Sequence, residues 1–130
     1  MSHQNVEIVR RLNEAIRRAD WDTVADCYDP DICVRTDPTW PEQRMHGREA
    51  AVNFIRGSLE ALGDDLSQTE IVDLGDRLVV RVQWRTHARH SGIDEELLFS
   101  EILTFRDGRV ILAEFFLDHA DALRALGRQE

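Results

Sequence analysis

An α+β domain is what this sequence predicts, and three observations carry the prediction. Apolar residues recur at helical spacing through the first half of the 130-residue chain. Beyond Ser67 the apolar period changes from 3.6 to 2, the mark of strands. Late in the chain, Asp107-Gly108 divides two apolar runs as a tight hairpin turn does. The length fits one domain, residues 1–130, large enough to bury a core without disulfides or metal.

The elements follow in chain order. "NVEIVRRLNEAIRRADW" puts Val6, Val9, Leu12 (or Asn13) and Ile16 on one stripe with charges opposite, an amphipathic helix. "DWDTVADCYDPD" reads as a short second helix capped by Asp22 and stopped before Pro30. "ICVRT" is a short strand, and "DPTWPEQRMHG", with two prolines and a glycine, is a loop. "REAAVNFIRGSLEALG" is a third helix with Gly63 as its stop. "SQTEIVDLG", "DRLVVRVQWRTHARH", "EELLFSEILTFR" and "RVILAEFFL" form an antiparallel meander. "DHADALRALG" closes the chain as a short helix, with Asp118 as N-cap and Gly127 as stop.

Composition narrows the chemistry. A net charge of −9 argues against nucleic acid and anionic membrane surfaces. All 16 basic side chains are arginine, so Schiff-base chemistry through lysine is excluded. No apolar run approaches a membrane span, and the start lacks a signal-peptide apolar region, so a cytoplasmic location is expected. Cys27 and Cys33 fall in different elements and need not pair. His87 and His90 point to opposite faces of a strand, and no ligand spacing for a metal is present. No phosphate loop or nucleophile elbow occurs, and no cofactor is implied.

The last hairpin holds the best functional lead. A two-residue type I′ turn at Asp107-Gly108 sets Arg106 opposite Arg109, Phe105 opposite Val110 and Leu103 opposite Leu112. Counting on, Glu101 meets Glu114 and Phe99 meets Phe116. The looser loop before this hairpin sets His90 opposite Glu95 and so Trp84 beside Glu101. Two glutamates and a tryptophan then stand in an apolar wall facing the helices. Carboxylates about 4 Å apart repel by about 4 kcal/mol at an effective dielectric near 20. One of them should hold a proton near neutral pH or recruit a cation, and a protonated carboxyl beside an ionised one is the arrangement used for acid/base work. The alternative is that each glutamate bonds an arginine or a backbone amide, or that the face is open to water.

As a whole the pattern resembles the SnoaL-like polyketide cyclase group of the nuclear-transport-factor-2-like superfamily. The resemblance rests on "ADWDTVADCYDPDI", "HGREAAVNFI", "LTFRDGRV" and "EFFLDHADALRALG". It implies a cone: a strongly curved, mostly antiparallel sheet wrapped around three N-terminal helices, with a short C-terminal helix and an apolar cavity. It also implies a homodimer through the outer sheet face, where Ile111, Phe115 and Leu117 would otherwise be exposed.

On this resemblance Glu114 is the deep acid/base residue, with Glu101 as its neighbour. A mechanism would have one of them remove a proton beside a carbonyl while its protonated partner or the Trp84 N–H steadies the oxyanion. Trp84, Phe99, Phe116, Tyr28 and Trp40 are the expected cavity walls, whereas Trp21 and Phe54 read as core. The function implied is binding of a small apolar molecule, with isomerase, cyclase or dehydratase chemistry that needs no cofactor. A non-catalytic binding or assembly module of the same fold is the alternative.

Overall fold

Apolar spacing decides the first helix. In the computed structural model, which describes residues 2–38, 40, 43–63, 65–87 and 94–128, α1 spans Ser2–Arg17 and buries Val9, Leu12 and Ala15. Asn5 on the same face is buried too, its Nδ2 donating to the Gly75 carbonyl at 2.9 Å. Past α1, Ala19 takes a left-handed φ of 56°, and the Asp20 N–H bonds back to the Ala15 carbonyl at 2.9 Å. The chain thereby reverses into α2, Trp21–Cys27.

Asp20, not Asp22, caps α2: its carboxylate accepts from the Thr23 N–H at 3.3 Å and the Thr23 hydroxyl at 2.7 Å. A capping carboxylate must reach an N–H in the first turn, and Asp22 lies one residue inside that turn. The helix ends at Cys27, and the next strand begins at once: β1 runs Tyr28–Arg35. The expected loop contains a strand that sequence periodicity could not show, the three-residue β2, Arg44–His46, antiparallel to β1. Glycines with left-handed φ, Gly47 and Gly63, bracket α3, Arg48–Leu62, as the sequence predicts for the stop.

The meander is present as β3 (Asp65–Asp73), β4 (Arg77–His87), β5 (Asp94–Arg106) and β6 (Arg109–Phe116). The six strands lie in the order β2-β1-β6-β5-β4-β3, all antiparallel except the β1–β6 pair. Helices α1 to α3 cover one face. Val80, Val82, Leu103, Phe105, Val110 and Ala113 share a core there with Val9, Leu12 and Val24. The last helix, α4 (His119–Arg128), packs on the outer face, where Ala122, Ala125 and Leu126 meet Val79 and Ile102. Its start is pinned by a 2.7 Å hydrogen bond between Ser100 Oγ and His119 Nδ1. The Asp118 carboxylate accepts from the Ala120 N–H at 2.8 Å, and the helix continues through Gly127.

Two registers differ from expectation, with different consequences. In β4–β5 the pairing is Val80 with Glu101 and Trp84 with Leu97, four residues away from the expected one; His90 lies outside the described residues. An even slip preserves which side chains face the helices. In β5–β6 the turn is as expected, with positive φ at Asp107 and Gly108 and with Phe105 opposite Val110. Then Ile111 bulges out, Thr104 pairs with Leu112, and every later residue is displaced by one. A one-residue shift inverts the faces.

Glu101 therefore stands beside Phe115, and Glu114 beside Ile102 on the outer face. The expected Glu101–Glu114 pair does not form. The same inversion carries Phe115 inward, removing it from the outer patch expected with Ile111 and Leu117. Phe116 packs instead against the cluster under α4.

Candidate functional site

Between α1, α3 and the inner sheet face lies a cavity of about 490 Å³. Its apolar wall is built by alternation: Val82 and Trp84 on β4, Phe99 on β5 and Phe115 on β6 point the same way, toward Phe54 and Leu59 of α3. The rings form a continuous chain. Phe54 and Phe115 have centroids 6.1 Å apart, Phe115 and Phe99 6.0 Å, and Phe99 and Trp84 6.4 Å in an edge-on contact. Trp40, Asp37 and Leu117 contribute from the segment after β1 and the end of β6, with Arg17 from the end of α1.

Glu101 is the carboxyl that the strands bring into this wall, between Val80 on one neighbouring strand and Phe115 on the other. Burial among these side chains pushes its pKa up to about 7. The carboxyl thus holds its proton far above the usual carboxylate range, and it does so by desolvation. A second carboxylate is not the cause.

Glu114 is placed elsewhere. It is buried on the outer face, opposite Arg35 in the parallel β1–β6 register, with its Oε2 3.9 Å from the Arg35 guanidinium. It does not line the cavity.

The other expected site residues divide. Trp84, Phe99, Trp40 and Phe116 all line the cavity. The Trp84 N–H, however, donates to the Gly63 carbonyl at 3.0 Å, which closes the C-terminus of α3 and takes this N–H away from the oxyanion role expected of it. Tyr28 is a core residue outside the cavity lining. Burial, reinforced by the negative charge of Glu101, raises its hydroxyl pKa. It is no ready proton donor.

Sequence reasoning missed most of the lining, and four of the missed residues show why. Phe54 was expected in the core, and Phe115 was hidden by the bulge. Asn13 appeared only as an alternative on the α1 stripe, and Gln68 stood in a strand whose inward face was not assigned. The last two line the cavity through other atoms, since their amide nitrogens are themselves buried.

Among the described residues no three His, Cys, Asp or Glu side chains gather as a metal site would require. Both cysteines are free thiols. No helix among the described residues is long and apolar enough to cross a membrane.

Comparison with known proteins places this architecture. A crystal structure of a nuclear-transport-factor-2-like protein of unknown function from Burkholderia pseudomallei superposes with a TM-score of 0.79 at 28% identity, covering 95% of this chain and 97% of that one. A protein from a Jannaschia species, named as a candidate SnoaL-like polyketide cyclase, gives 0.80 at 22% identity over 95% and 91% of the two chains. A candidate isomerase from Bacillus subtilis gives 0.74 at 14% identity over 87% and 85%. These likenesses establish the α+β cone. No curated protein matches the sequence. The SnoaL-like domain matches residues 9–113, most of the chain, and the protein belongs to that family.

Proposed function

We propose that this protein binds a small, mostly apolar molecule bearing a ring and a carbonyl in the cavity, and that Glu101 acts on it as a general acid/base. The observation that carries the reading is the Glu101 carboxyl set in an aromatic cavity wall between Val80 and Phe115, where desolvation pushes its pKa up to about 7. At neutral pH both forms of such a group are populated, so it can take a proton and return it. Ionised Glu101 would remove a proton from the carbon beside the carbonyl. The C–H electron pair moves into the enolate, and an O–H bond forms on the carboxyl. Returning that proton to another atom of the same molecule completes an isomerisation; giving it instead to a β-hydroxyl, which leaves as water as the enolate electrons form the C=C bond, makes the step a dehydration and restores the carboxylate. No oxidant or cofactor enters the balance. The cyclase and isomerase names of the fold relatives are consistent with this class of chemistry.

A binding-only role is the second reading. It is favoured by the position of Glu114 on the outer face, which leaves Glu101 without the expected carboxyl partner. Homodimerisation remains part of the proposal, through the outer surface that α4 leaves around Gln83, Arg85 and Leu98.

The two readings separate with 2-tetralone as probe, by following exchange of its α-protons in D2O by NMR. Catalysis predicts exchange that accelerates as pH rises through about 7 and falls by about a hundredfold or more in Glu101→Gln. Equal exchange in both proteins would remove Glu101 from the chemistry and leave the binding role.

A further inference from the structure

Glu101 reaches the cavity without a partner of its own. The residue is half-buried, and its carboxyl makes no hydrogen bond or ion pair with the described residues. It is not sealed off either, as the Asn13 and Gln68 amide nitrogens are. Other polar groups of the lining are engaged within the protein. Ser58 Oγ donates to the Phe54 carbonyl at 2.8 Å, Asp37 Oδ2 accepts from the Leu117 N–H at 3.3 Å, and the Trp84 N–H is held by Gly63. Arg17 belongs to the lining but is exposed, and the upward shift of Glu101 comes from desolvation with no cation to oppose it. A carboxyl open to a cavity and lacking a protein partner is set to meet one from the ligand.

Its surroundings define that partner. Phe115 lies directly across from Glu101 on β6, and Phe99 stands two residues before it on the same face of β5. Side chains directly opposite have Cβ atoms about 5 Å apart, and two residues along a strand span about 7 Å. One small cationic head can touch both rings and the carboxylate across such distances. The Phe115 ring is inclined by 54° to Phe99 and by 57° to Phe54, so neither neighbour stacks on its face. Aromatic faces attract cations through their negative quadrupole, and a quaternary head has no N–H for an apolar wall to leave unpaired. The net charge of −9 adds a field that draws cations toward the protein.

We propose that the cavity takes an apolar ammonium ion, a quaternary amine with a hydrocarbon body, whose positive head lies against the Phe99 and Phe115 rings with the Glu101 carboxylate as its counter-ion. This goes beyond the carbonyl chemistry: it rests on the cavity being a binding site and not on proton transfer by Glu101. The bound cation favours the ionised form of Glu101, which offsets the desolvation that otherwise keeps the proton on. The hydrocarbon body lies along the ring chain toward Trp84.

The test compares phenyltrimethylammonium with tert-butylbenzene, which has the same shape with carbon in place of the charged nitrogen. Affinities are measured by NMR titration at pH 8 on wild-type protein, Glu101→Gln and Phe115→Leu. The ammonium-to-hydrocarbon affinity ratio should fall by about tenfold in Glu101→Gln. It should fall by about threefold in Phe115→Leu, which keeps an apolar wall and removes the ring face. Should Glu101→Gln fail to fold, Glu101→Met reads the same ratio. An unchanged ratio in the Glu101 variant or in Phe115→Leu overturns the ammonium site while leaving the cavity as a binding site. Binding of tert-butylbenzene without phenyltrimethylammonium does the same. Failure of both compounds to bind overturns the ammonium site together with the cavity reading.

Discussion

A single carboxyl inside an apolar wall makes the stability of this protein depend on pH in a defined direction. Unfolded, Glu101 titrates near its ordinary 4.5; folded, burial moves it to about 7. Between those values the folded protein holds a proton that the unfolded chain has released, so stability is lost as pH rises through the window. By pH 8 the penalty is about 3 kcal/mol, from about 1.4 kcal/mol for each pKa unit. Glu101→Gln keeps the shape and removes the titration. Urea unfolding should show the variant more stable than wild type by up to about 3 kcal/mol at pH 8, and nearly equal to it at pH 4. Equal stabilities at pH 8 would mean that water reaches the carboxyl freely. An acid/base group held at a cost in stability is a common feature of functional sites.

The elements show what the sequence could and could not reveal. Helical stripes, the change of period after α3, the glycine bracket at Gly63 and the Asp107-Gly108 turn all depend on local chemistry, and each stands where expected. The four-residue slip of β4 against β5 was harmless because side chains alternate with period two. Ile111 was different. Nothing in "RVILAEFF" distinguishes a bulged isoleucine from a paired one, because the bulge is set by how β6 meets β1 on one side and β5 on the other. That one residue decided which glutamate enters the cavity. Since the bulge sends Glu114 to Arg35, Glu114→Gln should leave 2-tetralone exchange within about twofold of wild type, measured by the same NMR assay. A large loss would put Glu114 back in the site.

Backbone strain at the α1–α2 junction is also testable at this scale. Ala19 occupies the left-handed position that glycine usually takes at such a helix end. Ala19→Gly should raise unfolding stability by about 1 kcal/mol in urea titration. No gain would mean that added freedom in the unfolded chain offsets the relieved strain.

At the scale of the whole molecule, the curved sheet and three helices enclose a volume that their side chains do not fill. The family ties that architecture to many chemistries, so the fold alone does not select one. The selection comes from a few side chains: a ring chain from Phe54 to Trp84 and Glu101 beside it. The aromatic wall was partly legible in the sequence, because Trp84 and Phe99 hold their expected face. Among the polar members Glu101 was legible too, on the same alternation, and Asn13 stood as an alternative on the α1 stripe. Gln68 was not, because the inward face of its strand was not assigned.

The central claim is that Glu101 alone among the strand carboxyls is poised for proton transfer inside the cavity, and a carboxyl titration tests it most directly. Carbon-detected NMR of selectively labelled glutamate side chains, followed from pH 3 to pH 9, should show one carboxyl titrating near 7. That signal should vanish in Glu101→Gln and persist in Glu114→Gln. A Glu101 carboxyl titrating near 4.5 in the folded protein would contradict the account.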